Sequence, residues 1–344
     1  MPELPAASPA ICVTGCGYWG KNLVRTFDAL HCLHGICDSN PSSLAQSLGT
    51  YPNANGYAKF ADALNDPEVD AVVLATPAET HYRMGLAALK AGKHLLVEKP
   101  LALEPEDGME MVDAAAENNR ILMVGHLLRY HPAIEELQEL IRQGVLGRID
   151  YIYSNRLSMG KIRQEENALW SFAPHDISVI LSLTGQMPMQ VTASGGAYLQ
   201  PNIADVTVSN LLFDRGTRSH IFVSWLHPYK EQRLVVVGSK QMIVFEDSRP
   251  DHKLMLYDKR IDWSSGSPEA AKPKGVPIDF SSDEPLRREC EHFVNCIVTG
   301  KPPLTCGEEG VRVLQVLEAC GRSLNLNGEP VQITTNLFRR QLVS

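Results

Sequence analysis

Between Ala10 and His126, short apolar runs alternate with amphipathic stretches, and this alternation constrains the fold more than any other feature of the chain. AICVTG, LHGICD, DAVVLATP, HLLVEKP and RILMVGH read as strands. WGKNLVRTFDAL has helical spacing, with Leu23, Val24, Phe27 and Leu30 on one face. PSSLAQSLG opens with Pro-Ser and stops at a glycine, and HYRMGLAALKAG and PEDGMEMVDAAAENN read as further helices. Strands separated by helices pair in parallel through right-handed crossovers, so residues 1–126 are expected to form an α/β Rossmann domain with a doubly wound parallel sheet. PAIEELQELIRQGVLG adds one more helix. From Asp150 the pattern changes: YIYSNRLS, QVTASGGAYL, DVTVSNLLFD, RSHIFVSWLH, QRLVVVGS, QMIVFED and KLMLYD read as strands joined by turns, several with period-two alternation. The helix HDISVILSLTG lies between the first two, and ECEHFVNCIVTG and EEGVRVLQVLEACGRSL follow. Residues 127–344 are therefore expected to form an α+β domain with an open, mostly antiparallel sheet. WSSGSPEAAKPKG, residues 263–275, reads as a loose loop, and no internal repeat is evident.

Of 344 residues, 44% are hydrophobic and 21% charged, the balance of a folded globular chain. A formal charge of -8 argues against general nucleic-acid binding, which needs a basic face. No apolar stretch approaches the roughly 20 residues of a membrane helix, and MPELPAASPA lacks the basic and apolar segments of a signal peptide. A cytoplasmic protein without a membrane partner is the expectation. The eight cysteines form no CxxC, and most sit in apolar surroundings where a free thiol behaves as a small hydrophobe. HCLHGIC, from His31 to Cys37, is the one cluster with metal-ligand residue types. It also reads as a loop and strand that point those side chains apart, so no metal is expected.

VTGCGYWGKNLV places Gly15, Gly17 and Gly20 as GxGxxG between a strand and a helix, with Tyr18 and Trp19 inside the turn. The first glycine allows a tight turn, the second lets backbone approach a pyrophosphate, and the third lets helix pack on strand. The helix N-terminus then faces the anion. Asp38 closes the next strand, where a carboxylate accepts both ribose hydroxyls of NAD and repels the 2′-phosphate of NADP. The alternative is a structural turn plus a surface carboxylate. NAD is the expected cofactor.

In such a sheet the ligand lies outside the carboxyl ends of the strands. Thr76, Pro77 and His81 follow one such end, and HLLVEKPLAL brings Glu98, Lys99 and Pro100 to the next. Pro100 biases Lys99 away from helix where its side chain emerges. Arg129 and Tyr130 follow a further strand end.

The succession GxGxxG, ATPAETH, EKPLAL and GHLLRYHP resembles the Gfo/Idh/MocA family of NAD(P)-dependent sugar and polyol oxidoreductases over nearly the whole chain. The resemblance implies that Lys99 is the catalytic lysine at the hydroxyl that loses hydride, and that Glu98 lies on the nicotinamide side. It implies that His175, in SFAPHDISVILSLTG, opens the helix at the substrate pocket and is an acid/base. Gly15, Gly17, Tyr18, Trp19, Gly20, Asp38, Thr76, Pro77, His81, Glu98 and Arg129 are then the cofactor residues. Oxidation of a secondary alcohol asks for such a lysine and histidine, since a base must take the hydroxyl proton as hydride departs. Many members carry an Asp four residues before the His, whereas this chain has Ser171 there, and Asp176 would point elsewhere on a helix. His126 and His131 are read as supporting residues.

The segment before His175 contains Arg156, Lys161 and Arg163, partly offset by Glu165 and Glu166. Three basic residues near a sugar pocket suit a diphosphate, while a solvated charged loop is the plain alternative. With GYWGKNLVR, this loop resembles the branch that acts on UDP-linked N-acetylhexosamines, which implies oxidation at carbon 3 of UDP-N-acetylglucosamine by a sugar-nucleotide dehydrogenase. Substrate contacts would come from Lys99, Arg156, Lys161, Arg163, Ser171 and His175. A pyridoxal-phosphate aminotransferase would then aminate the ketone for lipid A or O-antigen, both lipopolysaccharide components. UDP-N-acetylglucosaminuronate, a free polyol or aldose such as myo-inositol, and a catalytically silent NAD-binding sensor are the other readings. An apolar open sheet face needs covering, so a homodimer or homotetramer is expected.

Overall fold

Ile11–Thr14 and Ala71–Leu74 are wholly apolar but for one threonine and buried at every position, the signature of central strands covered on both faces. They sit side by side in a parallel sheet of a computed structural model that describes residues 8–259, 261–262, 264–270 and 274–333. The Pro/Ala tail at residues 1–7 lies outside the described residues, as do Trp263 and residues 271–273 of the loop expected at 263–275.

The first part runs β1 (Ile11–Thr14), α1 (Gly20–Ala29), β2 (Leu33–Cys37), α2 (Pro41–Thr50), β3 (Asn55–Tyr57), α3 (Phe60–Asn65), β4 (Ala71–Leu74), α4 (Ala78–Lys90), β5 (His94–Glu98), α5 (Pro105–Glu117) and β6 (Leu122–Gly125). All pairings are parallel, in the order β3-β2-β1-β4-β5-β6. The order reverses between β1 and β4, which opens a crevice at their carboxyl ends. Asn40 starts α2 by accepting from the Ser42 and Ser43 amides at 2.9 and 3.2 Å. β3 is only three residues long and two of them are exposed, so no periodicity announced it.

A 3₁₀ turn at Leu127–Tyr130 precedes α6 (Pro132–Arg142), β7 (Ile149–Leu157), α7 (Ala168–Thr184), β8 (Gln190–Gly196), β9 (Val206–Leu212), β10 (Arg218–Ser224), β11 (Glu231–Gly238), β12 (Gln241–Glu246), β13 (Leu254–Asp258), β14 (Ile261–Asp262), β15 (Glu269–Ala270), β16 (Gly275–Pro277), α8 (Pro285–Thr299), α9 (Gly307–Asn325) and β17 (Val331–Gln332). Nine of these strands form one sheet, β16-β13-β12-β11-β7-β10-β9-β8-β17, antiparallel except where β7 meets β10. α7 packs on β7, β9 and β10 and covers Ile152, Ile221 and Val223. The register puts Tyr151, Tyr153, His220 and Phe222 on the other face. β14, just before the expected loose loop, pairs with β15, inside it, as a short antiparallel ladder.

The chain divides into two compact units: residues up to Tyr130 with Asp283–Leu314, and His131–Ser282 with residues from Gln315. The single boundary expected at 126 is therefore joined by two further crossings, after Ser282 and after Leu314, because α8 belongs with the first unit. Its Leu286, Cys290, Phe293 and Val294 are buried in one cluster with Ile11, Val13, Leu23 and Phe27. Among the described residues, no helix is long and apolar enough to cross a membrane.

Candidate active site

The glycine-rich turn is built as its spacing requires. Gly15 has φ +91°, and a Cβ there would lie 2.8 Å from the Ala75 carbonyl oxygen. A Cβ on Gly20 would lie 1.7 Å from the Gly15 carbonyl oxygen, so α1 closes directly onto the turn. Gly17 differs: nothing lies within 4 Å of the place its Cβ would take, which leaves its backbone open to approach. Tyr18 is 90% exposed beside it. Asp38 follows β2 with its carboxylate braced by the Cys16 amide at 2.7 Å and the Asn40 amide at 2.8 Å.

The other strand ends converge on the same edge. The indole N–H of Trp19 donates to one oxygen of Glu98, and the Lys99 amide donates to the other at 3.3 Å. A single carboxylate thus links the glycine-rich turn to the turn that carries Lys99, which is half-buried. Burial pushes the Glu98 carboxyl up to about 6, while Trp19 and Lys99 pull it down. Thr76 and Thr80 share a hydroxyl hydrogen bond of 2.7 Å after β4.

Two residues expected to meet the cofactor are instead enclosed. His81 is 1% exposed, and its ring nitrogens face the Pro100 carbonyl at 2.7 Å and the Thr76 carbonyl at 2.8 Å. It ties two strand-end turns together and has no free edge for a ligand. Arg129 is buried beside Glu309 at 3.5 Å, and the same Glu309 meets His126 at 2.6 Å. Tyr130 is likewise buried, hydrogen-bonded to Thr305 at 2.9 Å. Glu289 was not foreseen. It is fully buried on α8, and among the described residues neither carboxyl oxygen has a hydrogen-bond partner. Burial, and then the nearby Glu98, hold it well above the ordinary carboxylate range, which favours its neutral form. Its place beside Leu286 and Phe293 at helical spacing was the available signal.

In the second unit, His175 lies inside α7 and does not open it. Asn167 starts that helix by accepting from the Trp170 amide at 3.1 Å, and Pro174 is carried within it. Ser171 is buried in the early part of the same helix. Arg156, expected at a diphosphate, directs its guanidinium at Asp176 at 2.9 and 3.1 Å, and Ser154 donates to that carboxylate at 2.6 Å. Asp176, 3% exposed, must be neutralised within the fold. Ser154 and Arg156, two residues apart on one strand face, were the signal for a buried acid. Lys161 remains exposed, and Arg163 meets Glu166 at 3.0 Å. Of the His31–Cys37 cluster, Cys32 and Cys37 are buried while His34 meets Asn55 at 3.0 Å and Asp66 at 3.6 Å.

Known proteins resemble this chain over most of its length. Residues 10–126 match the oxidoreductase family, NAD-binding Rossmann fold, of the Gfo/Idh/MocA group, and residues 134–244 match the Gfo/Idh/MocA C-terminal domain. The chain belongs to the Gfo/Idh/MocA family. An uncharacterized oxidoreductase of Streptococcus pneumoniae is 33% identical over 91% of this chain and 95% of its own. UDP-N-acetylglucosamine 3-dehydrogenase of Acidithiobacillus ferrooxidans is 29% identical over 88% of this chain and 93% of its own. A solved structure of that enzyme superposes with TM-score 0.81 at 26% identity, covering 92% of this chain and 98% of the other. The scyllo-inositol 2-dehydrogenase (NAD(+)) of Bacillus subtilis is 27% identical over 92% of each chain. As a Gfo/Idh/MocA oxidoreductase this chain uses NAD, and the open backbone at Gly17 beside the braced Asp38 suits that cofactor's pyrophosphate and ribose.

Proposed function

We propose that the protein oxidises the 3-hydroxyl of a UDP-linked N-acetylhexosamine, UDP-N-acetylglucosamine first, to the 3-keto sugar. The supporting observation is Lys99 at the carboxyl end of β5, joined through Glu98 and Trp19 to the glycine-rich turn. NAD, when bound, supplies a hydride acceptor at carbon 4 of its nicotinamide. Lys99 takes the hydroxyl proton as the carbon–oxygen bond becomes double and the hydrogen on carbon leaves with its electron pair. His175 is the second acid/base group, and Asp38 selects NAD over NADP by repelling a 2′-phosphate. With Arg156 committed to Asp176, the diphosphate contacts fall to Lys161 and Arg163. The sugar-nucleotide relative supports the substrate class. A downstream pyridoxal-phosphate aminotransferase would aminate the ketone on the way to lipid A or O-antigen, in the cytoplasm. A second copy of the chain would cover the sheet face that carries Tyr151 and Phe222.

The scyllo-inositol relative and the loss of Arg156 from the basic set favour a second reading, a dehydrogenase of a free polyol. Incubation with NAD and a panel of UDP-sugars, N-acetylglucosamine and myo-inositol, followed by NADH absorbance, decides between them. NADH from UDP-N-acetylglucosamine, with affinity reduced roughly tenfold in Arg163→Ala, is the expected result. NADH from inositol and none from any UDP-sugar would overturn the proposal.

A further inference from the structure

His81 presents an imbalance of hydrogens. A neutral imidazole has one N–H donor and one lone pair, whereas the imidazolium has two donors. Both groups facing the ring are backbone carbonyls, Pro100 at 2.7 Å and Thr76 at 2.8 Å, and a carbonyl oxygen only accepts. At 1% exposure no solvent relieves a lone pair set against an oxygen at that distance. We infer that His81 is doubly protonated in this arrangement and is a positioning residue for Lys99, clamping the Lys99–Pro100 turn to the end of β4 and keeping a positive charge beside the lysine.

The inference rests on the reading of Lys99 as the base. The charged groups that bear on the ring are Lys99, from the turn after β5, and Glu79, on its own helix. Burial foremost, and Lys99 with it, oppose the second proton and on balance hold the ring below its ordinary value, against the pull of the two carbonyls and Glu79. The two short contacts to groups that only accept are what call for it. The same repulsion acts in return: an imidazolium near Lys99 favours the neutral amine, which is the form that takes a proton. A clamp without charge would only hold the turn; a charged clamp also makes the lysine a better base.

The two roles separate in a pH profile. His81→Gln offers a donor but no charge, so Lys99 should titrate higher. Turnover near neutral pH should fall roughly tenfold, be regained as pH rises, and leave the Michaelis constant for NAD little changed. A purely structural lesion would lower turnover in parallel at every pH, and that outcome overturns the proposal. Nitrogen-15 NMR of histidine-labelled wild-type protein, with the His81 signals assigned by their loss in the variant or by a neighbouring substitution, reads the charge directly even if the variant folds poorly. Two protonated ring nitrogens through the active pH range are expected, and one bare nitrogen there would refute the inference. Failure of the Lys99 reading looks different, since Lys99→Met would then retain turnover while the NMR result stood.

Discussion

The two sheets handle polar groups in opposite ways. In the first unit the central strands are almost wholly apolar, and charged residues gather where strands stop: Asp38 after β2, Glu98 and Lys99 at the end of β5. In the second unit polar residues are set within the sheet and tied off in pairs on its covered face, as Ser154 and Arg156 are to Asp176. Parallel topology delivers side chains to a common edge, so position alone predicts a shared site. An antiparallel strand delivers them to a face, and the partner across that face decides whether a charge is available. Asp205 repeats the lesson, accepting from the Trp225 indole at 2.5 Å and from the Tyr198 and Leu199 amides at 2.6 and 2.9 Å.

The sharpest test of that contrast is Asp176→Ala. It leaves a buried guanidinium without its counter-charge, so unfolding free energy should fall by about 3–5 kcal/mol in a urea titration. An unchanged midpoint with weakened substrate binding would return Arg156 to the ligand and erase the distinction. Next in size is Lys99→Met, at a strand edge. Turnover should drop on the order of a hundredfold, equivalent to about 2.7 kcal/mol, with NAD affinity and melting temperature nearly preserved. Retained turnover with a poorer Michaelis constant would make Lys99 a binding residue. Asp38→Ala removes charge-assisted contacts of about 1.5–3 kcal/mol, so NAD affinity should fall roughly tenfold or more while exclusion of NADP relaxes. A wild-type preference for NADP, measured by titration, would undo that assignment.

The smallest effect belongs to Glu289, a polar group buried within the first unit's own core. Its folded-state pKa is raised, so its contribution to stability is present below the unfolded carboxylate range and is lost as pH climbs through the folded value. Glu289→Gln keeps the shape and removes that titration. Variant and wild type should melt together at about pH 5, with the variant pulling ahead towards about pH 8. Equal melting curves at both pH values would mean that the carboxyl is ionised and compensated.

Much of the first unit was legible because its physics is local. Strand–turn–helix spacing foretold the Gly15, Gly17 and Gly20 turn, and the strand count put Glu98 and Lys99 at the carboxyl edge. What escaped was set by distance along the chain. His81 reads as one more polar residue after a strand until Pro100, nineteen positions on, closes over it. Arg156 looks free until Asp176 arrives from another element. The start of α7 was hidden because Pro174 reads as a helix boundary, whereas Asn167 had already capped the helix.

The return of α8 to the first unit also has a consequence for synthesis. A ribosome delivers the strands and helices of residues 8–130 early, yet the cluster of Ile11, Leu23 and Phe27 awaits Leu286, Phe293 and Val294. At translation rates of about 5–20 residues per second, that wait is roughly ten to thirty seconds. For that interval the nascent chain exposes an apolar flank that its own later helix is made to cover, which is when a chaperone has something to hold.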